Sequence, residues 1–163
     1  MKAVQLIIGF LLASFIGWGY EAAASLLIYG EYYDRGMLKL PICPIYGFGI
    51  LILLLALHKV KNGVKIFLYS AVITTVFELL CSYILEALFH DFPWNYEDWP
   101  LQFQGRVSLI SSLIFGVLAL FFMKLLNPFL TKICSKCKPK YVYAFTIVLL
   151  AGLGVAEIYL GTI

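Results

Sequence analysis

Long uninterrupted apolar runs alternate with short polar segments along the whole chain, and the runs are continuous, without the period-two alternation of a half-buried strand. Each is of the order of the ~20 residues that a helix needs to cross the ~30 Å hydrocarbon core of a bilayer. The pattern predicts five helices, approximately Val4 to Tyr29, Ile42 to His58, Lys65 to Phe89, Val107 to Leu126 and Tyr141 to Ile163. Continuous runs argue against a β-barrel, the other structure that satisfies its backbone in lipid. The first run is too long for the apolar part of a signal peptide and continues through Glu21. No internal repeat, low-complexity tract or soluble domain stands out, so the reading is one transmembrane domain over residues 1–163.

Composition strengthens that picture. A chain of 163 residues with 63% apolar and 13% charged side chains and a mean hydropathy of +0.94 has more hydrocarbon than a soluble globule of this size can bury. Charge then supplies an orientation. With the N-terminus on the cytoplasmic side, that side receives Lys2, Lys59, Lys61, Lys65, Lys124, Lys132, Lys136, Lys138 and Lys140, and the other side receives Arg35, Lys39 and Arg106. Nine against three accounts for all twelve basic residues and predicts an N-in, C-out, multi-pass membrane protein. The formal charge of +3 therefore concerns topology, and no nucleic-acid partner is expected. The short basic connections around His58 to Lys65 and Asn127 to Lys140 suit anionic membrane lipids or a cytoplasmic partner. The outer connections, Gly30 to Leu40 and His90 to Arg106, mix aromatic residues with charges of both signs.

The chemistry is concentrated in the third run, where Thr74, Glu78, Ser82 and Glu86 recur every four residues. On a helix these form one polar stripe. Eight residues separate the two carboxylates by about 12 Å in depth, so they line a cavity and do not form a close proton-sharing pair. An ionised carboxylate facing lipid near mid-bilayer costs at least ~2.5–3.5 kcal/mol. The stripe is therefore expected to face the bundle interior, with Arg35 and Arg106 as partners and with Glu21 and Glu157 on other walls of one outward-opening polar pocket. A guanidinium suits this task because its planar fork can hold a carboxylate with two parallel hydrogen bonds. The same ion pairs would also serve simply to tie helices together.

Other features carry less. Cys134 and Cys137 form a single C-x-x-C without a second pair, and Cys43 and Cys81 fall in or beside the apolar runs, so no metal is expected. Pro41 and Pro44 mark the start of the second helix, where a missing N–H costs nothing, and Gly47 and Gly49 permit close approach of a backbone or a ligand. The first turns of the second and fourth helices face the outer side and favour an anionic group there. No glycine-rich nucleotide loop is present, neither His58 nor His90 has a metal-ligand spacing, and Ser108, Ser111 and Ser112 have no histidine beside them in sequence. No cofactor is expected.

The strings DRGMLKLPICPIYGFG, FELLCSYILEALF, PWNYE and FQGRVSLISSLIFG resemble a family of small bacterial integral membrane proteins, type IV ABC-transporter permeases of the CmpB kind. The resemblance covers about Gly17 to Gly116. It implies a transport function and marks Glu21, Arg35, Gly36, Cys43, Pro44, Tyr46, Gly47, Glu78, Glu86, Trp94, Tyr96, Gly105 and Arg106 as motif positions. The chain departs from the family pattern at Asp34, Asn95 and Val107-Ser108, where asparagine, aspartate and isoleucine-cysteine are usual.

The expected protein is thus an all-α polytopic bundle acting as a transport component. A small polar solute binds in a pocket of Glu21, Arg35, Tyr46, Glu78, Ser82, Glu86, Trp94, Tyr96, Arg106, Ser108 and Glu157. Any ATPase must be a separate subunit, docked on the basic cytoplasmic side. Two alternatives stay open. One is a membrane enzyme acting on a lipid or lipid-linked group, with Glu78 or Glu86 as acid or base. The other is a non-catalytic assembly subunit whose ion pairs set helix register.

Overall fold

The computed structural model describes residues 2–31, 40–90, 94–136, 140–141, 143–144, 146–148 and 151–152. In chain order they form α1 (Lys2–Tyr29), α2 (Pro44–Leu57), α3 (Gly63–Phe89), β1 (Gln102–Phe103), β2 (Val107–Ser108), α4 (Leu109–Phe121), a π turn (Phe122–Leu126) and α5 (Asn127–Lys136). Three helical stretches, Ala3–Ile28, Gly63–Phe89 and Leu109–Lys136, are long and apolar enough to cross a membrane. The described residues are mostly helical, as in a polytopic helical membrane protein, with one two-stranded ladder among them. The chain divides into two compact units, residues 1–51 with 127–163, and residues 52–126.

In the first unit, α1 begins and ends within two residues of the predicted bounds. Small residues on it receive the next helix: a Cβ on Gly17 would fall on the Tyr46 ring, and one on Gly47 would meet Ser14 and Phe10. The Cys43 amide donates to the Ser14 carbonyl at 2.9 Å, fixing the start of α2 against α1. Pro44 opens α2 as expected. Gly47 thus serves tight helix packing. The predicted second span is corrected in length: α2 has 14 residues, which rise only about 21 Å, short of the ~30 Å hydrocarbon core. Among the α5 residues, Cys134 is buried and packs with Val4 and Ile8, and Gln5 Nε2 donates to Thr131 Oγ1 at 2.5 Å.

The second unit is built on α3, whose first turn is capped by Asn62, with its side chain accepting from the Lys65 amide at 3.1 Å. The helix ends at His90 in the left-handed region (φ 58°), and the His90 amide donates to Glu86 O at 2.8 Å. Helix α4 packs against α3 through Gly116, where a Cβ would come within 2.9 Å of the Phe67 ring and 3.1 Å of the Phe67 carbonyl. Lys124 Nζ donates to the Lys61 carbonyl, tying the π turn to the α2–α3 turn.

Two further expectations are corrected. Val107 and Ser108 do not begin the fourth helix. They pair as β2 with β1 in the register Gln102↔Ser108 and Phe103↔Val107. Nor is Asn127 to Lys140 simply a loop, because the helix continues to Lys136. Pro128 would normally break it, since its ring clashes with the carbonyl four residues back and it donates no hydrogen bond. The π turn immediately before it widens the hydrogen-bond spacing and accommodates both effects.

Candidate functional site

The 94–108 segment is the connection that brings loop side chains onto α3. Its tip is a β-turn closed by Arg106 N–H donating to Phe103 O at 3.0 Å. Both central residues have positive φ, Gln104 at 54° and Gly105 at 66°, as a type I′ turn requires. Glycine suits its position twice over, because a Cβ there would also meet Asn95 Oδ1 at 2.8 Å. Gln104 is the strained member, as is Leu101 with φ 53°. Non-glycine residues persist in this region when their surroundings hold them, and here the holding bonds are visible. Tyr83 OH donates to Gln104 Oε1 at 2.5 Å, Gly105 N–H to Gln102 Oε1 at 2.7 Å, Tyr96 N–H to Gly105 O at 2.8 Å and Trp94 Nε1 to Arg106 O at 2.9 Å.

This framework aims Arg106 at α3. Its guanidinium donates to Glu86 Oε2 at 2.5 Å and to Ser82 Oγ at 3.3 Å, and lies 4.3 Å from the centroid of the Tyr83 ring. Ser82 accepts this bond while donating its own proton to Leu79 O at 2.8 Å. The Arg106 side chain is 10% exposed and that of Glu86 is 47% exposed, so the ion pair has a buried cationic end and a wet acidic end. One turn of α3 before Ser82, Glu78 is 4% exposed and accepts from Tyr96 OH at 2.8 Å. Of the predicted stripe, Glu78 and Ser82 are buried on α3 and Thr74 is half-buried, so these residues face the protein interior and Glu86 emerges from it.

Ser108 is the N-cap of α4. Its hydroxyl accepts from the Ser111 amide at 3.0 Å and Ser111 Oγ accepts from the Ser108 amide at 3.1 Å, a reciprocal capping box. Both Ser111 Oγ and Ser112 Oγ donate to Ser108 O, at 2.9 and 2.7 Å, and Thr75 Oγ1 lies 2.6 Å from Ser112 Oγ. This serine cluster fixes where α4 starts, and with it the position of Arg106 two residues earlier.

Of the residues predicted for one pocket, the second unit brings together Glu78, Ser82, Glu86, Trp94, Tyr96, Arg106 and Ser108. Glu21 and Tyr46 are joined within the first unit, with Tyr46 OH donating to Glu21 Oε1 at 2.5 Å. Arg35 and Glu157 lie outside the described residues, as does Cys137. Sequence reasoning missed Tyr83, Gln104 and Thr75. A hairpin signal around Gln104-Gly105 would have found the first two, but the usual Asn-Gly or Asp-Gly is replaced by Gln-Gly. Among the described residues no group of three or more His, Cys, Asp or Glu side chains is placed to hold a metal ion.

The chemistry on offer is electrostatic: a buried carboxylate held by a neutral phenol, below a guanidinium clamped to a second, exposed carboxylate. The sequence profile of the family described as "Putative ABC-transporter type IV" matches residues 8–160. The chain belongs to this family. The match runs from within α1 through α5 and includes every residue of the Arg106 and Glu78 cluster. No curated protein and no solved structure matches the chain.

Proposed function

We propose that this family member is the membrane component of a transport system and that the polar face of α3 binds a small polar solute from the outer side of a bacterial cytoplasmic membrane. The observation that carries this reading is Glu78, a carboxylate only 4% exposed on a helix apolar enough to cross the membrane. Intramembrane ionisable residues are costly, and they mark substrate or ion pathways. The Arg106 to Glu86 pair stands at the wet end of the same stripe, where an entering charged group would exchange with it. In this reading the chain crosses the membrane five times, N-in and C-out, with the bilayer thinned locally around the 14-residue α2. Energy comes from a separate ATP-hydrolysing subunit that docks on the lysine-rich cytoplasmic connections.

The test is a thermal-stability screen of the purified protein in lipid nanodiscs against amino acids, polyamines, sugars and nucleotides, repeated on Glu78→Gln and Arg106→Ala. The reading predicts at least one compound that raises the wild-type midpoint and has no effect on Glu78→Gln. Equal stabilisation of wild type and both variants would remove α3 from the binding site.

A further inference from the structure

The helix pairs α1–α2 and α3–α4 share a pattern of residues. One shift of 57 positions superposes Phe10 on Phe67, Leu11 on Leu68, Ile16 on Ile73, Glu21 on Glu78 and Ser25 on Ser82. A second, independent match joins the following helices, where Ile45-Tyr46-Gly47 corresponds to Ile114-Phe115-Gly116. Identity at a few positions of two apolar helices would mean little alone, because such helices draw on few residue types.

The contacts inside each unit carry the argument. In the first unit, the phenylalanine eleven residues before the glutamate packs on the glycine of the next helix: a Cβ at Gly47 would lie 2.6 Å from the Phe10 ring. In the second, the equivalent phenylalanine does the same, with a Cβ at Gly116 lying 2.9 Å from the Phe67 ring. The serine four residues after the glutamate is buried in both and donates to the carbonyl three residues back, Ser25 to Ala22 at 2.9 Å and Ser82 to Leu79 at 2.8 Å. The glutamate in each accepts a phenol proton at its Oε1, from Tyr46 at 2.5 Å and from Tyr96 at 2.8 Å. Each first helix also buries a fully covered serine hydroxyl with no hydrogen-bond partner among the described residues, Ser14 and Ser70, one position out of the common register.

We infer that α1–α2 and α3–α4 are two copies of one duplicated helix pair, and that Glu21 with Tyr46 is a second carboxylate–phenol site of the same kind as Glu78 with Tyr96. The inference stands whether or not the protein moves a solute. The copies have diverged in an instructive way. Position 115, the counterpart of Tyr46, is phenylalanine and has no hydroxyl to give. The lost phenol is supplied to Glu78 by Tyr96 in the connection before α4. The second copy also has the Arg106 to Glu86 ion pair at the end of its stripe.

The test is carbodiimide labelling of the full-length protein in lipid nanodiscs, read by peptide mass spectrometry. The reagent adds to carboxyl groups in apolar surroundings, and removing the hydroxyl that occupies a carboxylate opens it to attack. Duplication predicts adducts on both Glu21 and Glu78 in the wild-type protein, a measurement that needs no variant. Tyr46→Phe raises labelling of Glu21 several-fold and leaves Glu78 within twofold of wild type, and Tyr96→Phe does the reverse. Phe115→Tyr added to Tyr96→Phe returns Glu78 labelling towards the wild-type rate, because position 115 is where the first copy keeps its phenol. Labelling of only one of the two glutamates, or a Glu21 rate indifferent to Tyr46→Phe, overturns the equivalence of the sites, and failure of the Phe115→Tyr rescue overturns the correspondence of the second helices.

Discussion

Replacing Arg106 with alanine removes a hydrogen-bonded ion pair with Glu86 at 2.5 Å, a longer bond to Ser82 at 3.3 Å and a cation–π contact with Tyr83 at 4.3 Å. A hydrogen bond to a charged group contributes roughly 1.5–3 kcal/mol, and a cation–π contact at a partly exposed site about 0.5–1 kcal/mol. The cost of stranding a fully buried charge does not apply, because the Glu86 side chain is 47% exposed and rehydrates once its partner is gone. Exposure also discounts the pair itself towards the ~0–1 kcal/mol of surface ion pairs. The expected loss is therefore about 2 kcal/mol, roughly a 30-fold shift in the folding equilibrium. About 1 kcal/mol of it should appear as coupling between Arg106 and Glu86. Arg106→Lys retains the charge but loses the planar fork and the stacking, and should recover about half. The assay is reversible unfolding in mixed micelles of wild type, Arg106→Ala, Glu86→Gln and the double variant. A coupling below about 0.3 kcal/mol, within the usual error of additivity, would refute the argument that this pair clamps the hairpin to α3.

Gly105→Ala combines a φ of +66° with a Cβ 2.8 Å from Asn95 Oδ1, so it should destabilise by about 1–3 kcal/mol and raise amide exchange at Tyr96 and Arg106; unchanged exchange would contradict the turn geometry. Gly116→Ala should cost about 1–3 kcal/mol by overpacking against Phe67, and Phe67→Leu should recover only part of it, since the Phe67 carbonyl also crowds the site; full tolerance in thermal unfolding would show that α3 and α4 pack more loosely than described. Ser108→Ala removes half of the capping box and should lower stability by about 1 kcal/mol, a result checked by circular dichroism melts in detergent and contradicted by an unchanged midpoint.

Much of the helical architecture was legible because lipid as solvent makes apolar run length decisive. The bounds of α1 and α3 follow from it, and Pro44 marks a helix start by its own chemistry, whereas the Asn62 cap of α3 was not read from the sequence. The stripe of Glu78 and Ser82 was legible for the same reason, since a polar period of four on an apolar helix has only one affordable side. Arg106 was correctly paired with the stripe, but the hairpin that delivers it was not visible. Its strands are two residues each, below the length at which alternation can register, and its turn uses Gln104 where asparagine would have signalled it. The extension of α4 into α5 was hidden by Pro128, which reads as a helix stop unless the π turn before it is known. The internal duplication was obscured because copies of an apolar helix conserve contacts more than identities. Phe10 and Phe67 become comparable only when each is seen against its own glycine.

The transport account is tested most directly by affinity purification of the tagged protein from native membranes in mild detergent, with mass spectrometry and a vanadate-sensitive ATPase assay on the eluate. The account predicts an ATP-hydrolysing subunit in fixed stoichiometry with this chain, released when the lysines at positions 59, 61 and 65 are changed to glutamine. Recovery of the chain alone, with no ATPase activity in the eluate, would contradict it.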